Sequence, residues 1–529
     1  MGKNSENFVR PRPVVLIVLD GWGVYQDYPG NAVSQAKKPT FDSLIAEYPA
    51  TTLRASDEAV GLPWGESGNS EVGHLSLGIG RILYQGLPRI DKDISDQTFY
   101  ENEVLLKAAA HVKKNNSALH YLGLVSNGGV HASIDHLFAL LNFAKKQEIK
   151  NVYIHVILDG RDTSYNAGLN FVKGLESTIK ELGVGKIASI SGRFYTMDRN
   201  NNWDRTEKAY RTIVLGEGEQ FKDPIEAIEK SYKNKVYDEE FIPVLLDKNG
   251  LIKKNDSVVF FNYRPDRARQ ITKAFVEKDF SSFKRDYIDN LFFATFVVYE
   301  KGLPVEVIFP PYVINETLGT VLANHGLTQL RIAETEKYAH VTYFFNGGIE
   351  KPNEGEDRVL VPSPAVASYD VKPEMSANEV TKKLVEAIDS DKYDFVLVNY
   401  ANADMVGHTG NLAAGIKAVE AVDKCLAKVI RSVLLRNGVA LVTADHGNAE
   451  VMFNMQTGQI DKEHSSNPVP FILVGKQYAG RNVGWPDLIN NDLTLVPPQG
   501  FLSDIAPTIL HIMGIERPKE MRGMNLLHD

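Results

Sequence analysis

The chain has 529 residues, 67 acidic against 58 basic, a formal net charge of -9 and a single cysteine. That length predicts more than one core, and the acidic balance argues against general affinity for nucleic acid or anionic membrane. One thiol excludes an internal disulfide and, with no cysteine set, disfavours a structural zinc site.

In chain order, the N-terminal MGKNSENFVRPRP is polar and lacks the apolar core of a signal peptide. Glu6 stands where a myristoylation signal needs Ser or Thr. A cytoplasmic protein without a membrane span is expected. Val14 to Leu19 is continuously apolar and β-branched, the pattern of a strand buried on both faces. It runs into Asp20-Gly21-Trp22-Gly23. The segment from Gly65 to His74 is Gly-rich and then turns apolar, which places Ser70 near a helix N-terminus where backbone N–H groups favour an anion. Ser67 is the nearby rival, and spacing does not choose between them. His74 reads as structural rather than as a ligand.

The middle of the chain repeats strand, polar loop and helix. HYLGLVSNGG, VYIHVILDGRD, KIASISGRFY and DSVVFFNYRPD read as strands, with helices over Asp135 to Gln147 and Ala167 to Leu182. The loops carry His131, Arg161, Asp162, Arg193, Arg199, Arg264 and Arg267. Guanidinium forks match carboxylate and phosphate in two-point geometry, so a small ligand bearing both would suit them. Asp162 is placed to position a hydroxyl and carry its proton. Phe309-Pro310-Pro311 interrupts regular structure.

The last third returns to the first pattern. Lys337 lies in AETEKYAHVT, a cation for a transferring phosphoryl group if it is not simply solvated. Ser376-Ala377-Asn378-Glu379 reads as a capping box opening a helix. DFVLVNYANAD is an apolar strand whose loop reaches Asp404, with His408 four residues on. Leu412 to Arg436 is an amphipathic helix that carries Cys425 on its buried face. GVALVTADHGN is a strand ending on Asp445 and His446, and His464 follows. Strands alternating with helices predict α/β sheets, with ligands at the strands' carboxyl ends. Asp20, Asp404, Asp445, His408, His446 and His464 together offer oxygen and nitrogen donors for two divalent ions, which can clamp the attacking and leaving oxygens of a phosphoryl transfer. No G-x-G-x-x-G and no P-loop occurs: Gly78-Ile79-Gly80 is followed by Leu83 where a third glycine should fall.

GNSEVGH (Gly68 to His74), LDGWG, HASIDH, DGRDT, RPDRARQ, AETEKYAHVT, DMVGHTG, ADHGNAE and HSSNPVP resemble, in order and across nearly the whole chain, the cofactor-independent phosphoglycerate mutases of the alkaline phosphatase superfamily. The resemblance implies an isomerase interconverting 3-phosphoglycerate and 2-phosphoglycerate in glycolysis and gluconeogenesis, through a phosphoserine intermediate and with no organic cofactor. It settles the serine choice on Ser70. It implies one metal ion held by Asp20, Ser70, Asp445 and His446, and another by Asp404, His408 and His464, most commonly manganese. His131, Arg161, Asp162, Arg193, Arg199, Arg264, Arg267 and Lys337 match substrate-contacting positions, and the enzyme would be a monomer. The fold it implies is two-domain α/β: residues 1–84 and 312–529 form a discontinuous, alkaline-phosphatase-like parallel-sheet domain that binds metal. Residues 85–311 form an inserted α/β phosphotransferase domain that binds substrate, and closure between the two would shield phosphoserine from water. The sequence departs from the family pattern at Glu66-Ser67, at Ala401-Asn402-Ala403 and at Thr295 to Glu300, none of them a named ligand. A phosphatase or phosphopentomutase of the same superfamily and a non-catalytic metal-binding protein are the competing readings.

Overall fold

Six consecutive apolar residues, Val14–Leu19, form a strand with every side chain buried, as a β-branched run flanked on both faces requires. In the computed structural model, which describes residues 9–454 and 456–527, this strand lies at the centre of an eight-stranded sheet. The polar N-terminal residues 1–8, including Glu6, lie outside the described residues. The sheet order is Glu356–Val361, Gln329–Glu334, Phe395–Tyr400, Val14–Leu19, Val439–Thr443, Val469–Val474, Ala50–Arg54, Gly500–Phe501. The first five strands run parallel, with Val14 opposite Phe395 on one side and Val439 on the other. Val469–Val474 runs antiparallel to both of its neighbours. The parallel run puts the carboxyl ends of four adjacent strands on one edge, and that edge carries the site.

Helices cover this sheet. Leu412–Leu435 is capped by the Asn411 side chain and buries Ala418, Val422, Cys425, Leu426, Val429 and Val433, spacings that trace one helical face. Cys425 is buried among them and burial pushes its thiol up, so it behaves as a small hydrophobe. The helix Ala377–Asp389 forms where expected, but the capping box does not. The Ser376 backbone, at φ -108° and ψ 14°, is not in the extended conformation of a cap, and its hydroxyl donates to the Pro362 carbonyl at 2.7 Å.

The chain divides into two units, residues 1–85 with 313–529, and residues 86–312. The second has its own eight-stranded sheet, ordered Glu306–Val307, Phe292–Thr295, Ser257–Phe260, Leu119–Leu124, Val152–Leu158, Lys186–Gly192, Val244–Leu245, Glu219–Gln220. Only the pairing of Lys186–Gly192 with Val244–Leu245 is antiparallel. Its helices include Ile134–Lys146 and Gly168–Leu182, each within a residue of the expected bounds. Each unit has a separate apolar core. Among the described residues no helix is long and apolar enough to cross a membrane.

Candidate active site

In the first unit, Asp20 follows Val14–Leu19, Lys337 follows Gln329–Glu334, Asp404 follows Phe395–Tyr400, and Asp445 and His446 follow Val439–Thr443. Register alone therefore brings four loops together. The strand before Asp445 stops at Thr443, two residues earlier than the sequence pattern suggests. The turn after Asp20 approaches the Asp404 backbone closely: Gly21 has φ +74°, and a Cβ there would lie 2.6 Å from Asp404 Cα. Only glycine satisfies both conditions.

Ser70 is the first residue of the helix Ser70–Ile79, and Asn69, not a serine, caps it by accepting from Val72 N–H. Ser70 Oγ lies 2.9 Å from His446 Nε2, 3.4 Å from Asp20 Oδ1 and 2.7 Å from Lys337 Nζ. The rival Ser67 is half-buried in the preceding loop. Lys337 is buried, and its ammonium also donates to Asp20 Oδ1 and Asp404 Oδ2, both at 2.6 Å. Burial alone would favour the neutral amine, but Asp20, Asp404 and Asp445 hold its pKa well above the usual lysine value.

A second triangle adjoins the first. His408 Nε2 and His464 Nε2 are 3.0 Å apart and lie 3.2 and 3.1 Å from Asp404 Oδ1. The three imidazoles share one device. His408 Nδ1 meets the Lys462 carbonyl, His446 Nδ1 the Gly447 carbonyl and His464 Nδ1 the Gly68 carbonyl. A carbonyl only accepts, so Nδ1 carries a proton in each and Nε2 is the nitrogen turned toward the cluster, where the bond to Asp404 raises the His408 pKa. Such outer contacts fix the tautomer of metal-ligating histidines. Burial pushes His446 down to about 4, keeping it neutral.

Ligand atoms of Asp20, Asp445 and His446, and of Asp404, His446 and His464, fall within 4.8 Å of one another. Three buried carboxylates here face one ammonium, so the protein's own charges leave the cluster negative. Burial, then Asp445, holds the Asp20 carboxyl well above its usual range, while Lys337 and the histidines keep Asp404 and Asp445 well below theirs despite burial. A negative pocket of oxygen and imidazole donors without thiolate fits divalent cations.

The sequence reading missed the residues that hold these ligands. Asn448 Nδ2 donates to Asp404 Oδ1 at 2.9 Å. Glu450, wholly buried, accepts from Gly23 N–H, Asn448 N–H, Asn467 Nδ2 and the Ser465 hydroxyl, tying the loops of Asp20, His446 and His464 together. The only sequence signal was an acidic residue inside the ADHGNAE segment.

In the second unit the loops at the strands' carboxyl ends gather the basic set. Arg193 is buried, and one Nη1 donates to Asp159 Oδ1 at 2.6 Å and Asp162 Oδ2 at 2.7 Å. Asp159, also missed from sequence, accepts from Ser126 Oγ and from the N–H groups of Arg161 and Asp162, so it shapes the loop. Arg199 and Arg264 both reach Asp266, at 2.5 and 3.2 Å. Arg267 bonds the Met197 carbonyl at 3.3 Å, and Arg161 turns to Glu239 at 2.6 Å. Burial, then the nearness of Arg199, Arg193 and Arg161, pushes the Arg267 guanidinium down, the mark of converging cations. Burial, then Arg193, lowers His131 to about 4, and its Nδ1 is buried without a hydrogen-bond partner.

A serine hydroxyl among carboxylates, imidazoles and an ammonium, at the carboxyl edge of a parallel α/β sheet, defines a metal-dependent group-transfer enzyme. In keeping with this, residues 12–517 match the family described as the Metalloenzyme superfamily. The 2,3-bisphosphoglycerate-independent phosphoglycerate mutases of Clostridium perfringens and Clostridium beijerinckii are each 51% identical, covering 98% of this chain and 99% of their own. The crystal structure of Leishmania mexicana phosphoglycerate mutase at low cobalt concentration covers 98% of both chains, with 32% identity and a TM-score of 0.53. The chain belongs to the 2,3-bisphosphoglycerate-independent phosphoglycerate mutases, within that superfamily.

Proposed function

We propose that this protein interconverts 3-phosphoglycerate and 2-phosphoglycerate through phosphorylated Ser70, as a cytoplasmic enzyme of glycolysis and gluconeogenesis. The observation that carries the reading is Ser70 Oγ, 2.7 Å from Lys337 Nζ and 2.9 Å from His446 Nε2. That is an activated nucleophile beside a fixed cation.

Asp20, Ser70, Asp445 and His446 would hold one divalent ion, and Asp404, His408 and His464 the other, with Mn2+ the expected metal. Bound there, the ions would lower the pKa of the serine hydroxyl and neutralise charge on the phosphoryl oxygens. Ser70 Oγ attacks phosphorus and the ester oxygen of the glycerate leaves. Asp162 carries a proton to that oxygen and takes one from the second hydroxyl when the phosphoryl group returns. Lys337 stabilises negative charge on the phosphoryl group in both directions. His131, Arg161, Arg193, Arg199, Arg264 and Arg267 retain the glycerate between the two transfers. The first unit thus serves as the metal-binding phosphatase-like domain and the second as the inserted substrate-binding domain. Glycerate retention distinguishes this enzyme from a phosphatase, which has no need of such an arginine set. We further propose that it acts as a monomer.

The test is conversion of 3-phosphoglycerate, coupled to enolase, without added bisphosphoglycerate, after chelation and after Mn2+ is restored. Activity lost on chelation and regained with Mn2+ is expected. Release of inorganic phosphate as the main product would establish the phosphatase reading, and a metal-loaded protein without activity would establish the binding-protein reading.

A further inference from the structure

His74 sits in the GNSEVGH segment, and the structure defines what it does. Its ring is buried one helical turn after Ser70. Nδ1 lies 2.9 Å from the Ser70 carbonyl and 3.2 Å from Asp445 Oδ2. Both oxygens only accept, so Nδ1 carries the proton. Nε2 then bears a lone pair, and it faces Asn399 Nδ2 at 3.1 Å. The same amide nitrogen donates its second hydrogen to Asp20 Oδ2 at 2.6 Å. A flipped amide would set its oxygen against that carboxylate, so the chain of donors runs one way only.

We propose that His74 and Asn399 are positioning residues that orient Asp20 and Asp445 toward one metal ion, an inference that rests on the mutase reading above. The argument has three parts. Asn399 donates to Asp20 Oδ2 and so holds the carboxylate with Oδ1 turned toward the cluster, 3.5 Å from His446 Nε2 and beside Lys337 Nζ and Ser70 Oγ. His74 Nδ1 sits between the Ser70 carbonyl at 2.9 Å and Asp445 Oδ2 at 3.2 Å, so the ring packs the ligand carboxylate against the first turn of the helix that starts at Ser70. The helix also packs directly on Asp445: a Cβ on Gly73 would lie 2.7 Å from the Asp445 carbonyl oxygen. Finally, the bridge is neutral. An added cation would compete with the metal for the carboxylates, and an added anion would deepen the negative charge of a buried site. Neither ring nitrogen of His74 is left to bind an ion, so the residue orients ligands rather than being one.

The bridge touches Asp20 and Asp445 and leaves Asp404, His408 and His464 alone, so its loss should affect one ion and spare the other. The experiment is a Mn2+ titration of the metal-stripped protein, read by electron paramagnetic resonance, for wild type, His74→Leu, His74→Asn and Asn399→Ala. In His74→Leu and Asn399→Ala one ion is expected to bind about 10–100-fold more weakly, the range for lost outer-sphere contacts, and the other as in wild type. His74→Asn keeps a donor near the Nδ1 position and should recover much of that affinity. At saturating Mn2+ kcat returns while KM for 3-phosphoglycerate stays unchanged. Should His74→Leu fail to fold, Asn399→Ala gives the same reading with less loss of packing. Folded variants that bind both ions with wild-type affinity, whatever their melting temperature, overturn the proposal and leave the mutase reading intact. A wild-type protein that binds no divalent ion overturns the mutase reading, and this one with it.

Discussion

Replacing Lys337 by methionine, which keeps the stem and removes the charge, separates the stability of the site from its chemistry. The ammonium makes three contacts of 2.6 to 2.7 Å, to Asp20, Asp404 and Ser70, and all four groups are buried. Without it, and without metal, Asp20 and Asp404 lose the cation that bonds to both. Breaking a buried ion pair from one side costs about 3–5 kcal/mol. Metal bound at the same carboxylates supplies the missing positive charge and stabilises the native state by mass action. The variant should therefore be much less stable than wild type in chelator and close to it in saturating Mn2+. Catalysis behaves oppositely, because the metal does not replace the donor to Ser70 and the phosphoryl group. Loss of one such donor costs about 10²–10³ in kcat. The assay is urea unfolding in chelator and in Mn2+, paired with the enolase-coupled rate at saturating Mn2+. An equal stability deficit in both conditions, or an unchanged kcat, would refute the reasoning.

Ser70→Ala should abolish interconversion and the acid-stable phosphoprotein expected of wild type after quenching with radiolabelled substrate, while Asp404, His408 and His464 still bind one Mn2+. Arg193→Leu removes the one Nη1 that donates to both Asp159 and Asp162 and leaves their carboxylates without that cation, so KM for 3-phosphoglycerate should rise and the second unit should melt earlier, with metal affinity unaltered. Asp238 tests a pH effect away from the site. Burial raises its carboxyl to about 6 although it accepts from Gly168 N–H and the Tyr232 hydroxyl. A raised acid holds its proton more tightly when folded, so its contribution to stability is full below the ordinary carboxylate range and is lost as pH rises through about 6. Asp238→Asn, whose amide still accepts from Gly168 and can donate to Tyr232, should flatten the fall in melting temperature across that window.

Much of the fold was legible because its strands are buried on both faces. Val14 to Leu19 and the strand before Asn399 read as continuous apolar runs, and such runs have few alternatives to a covered parallel sheet. The charged residues that interrupt those runs then marked the site, since Asp20, Asp404, Asp445 and His446 all fall just past a strand end, the edge where parallel sheets bind ligands. Helix termini were less legible. Ser376 has the composition of a capping box, but its backbone departs from the extended conformation a cap needs and its hydroxyl turns to Pro362, a residue brought close only by folding. Local sequence does not encode that backbone turn.

The partners of the site residues were decided by tertiary structure. Lys337 has the same sequence context whether solvated or buried, and only the alignment of Gln329–Glu334 beside Phe395–Tyr400 carries it to Asp20 and Asp404. The choice between Ser67 and Ser70 turns on which hydroxyl the helix start aims at His446, a distance that spacing does not encode. Glu450, Asp159 and Asn399 were passed over because each is a common polar residue until its neighbours are known, and His74 was read as structural with no partner assigned. Sequence by itself determined which chemical groups the molecule owns and which strands deliver them, because hydrophobic patterning is local. The pairing of donor with acceptor at the centre of the site, Ser70 with His446, Lys337 with Asp20 and Asn399 with Asp20, came from contacts between residues hundreds of positions apart.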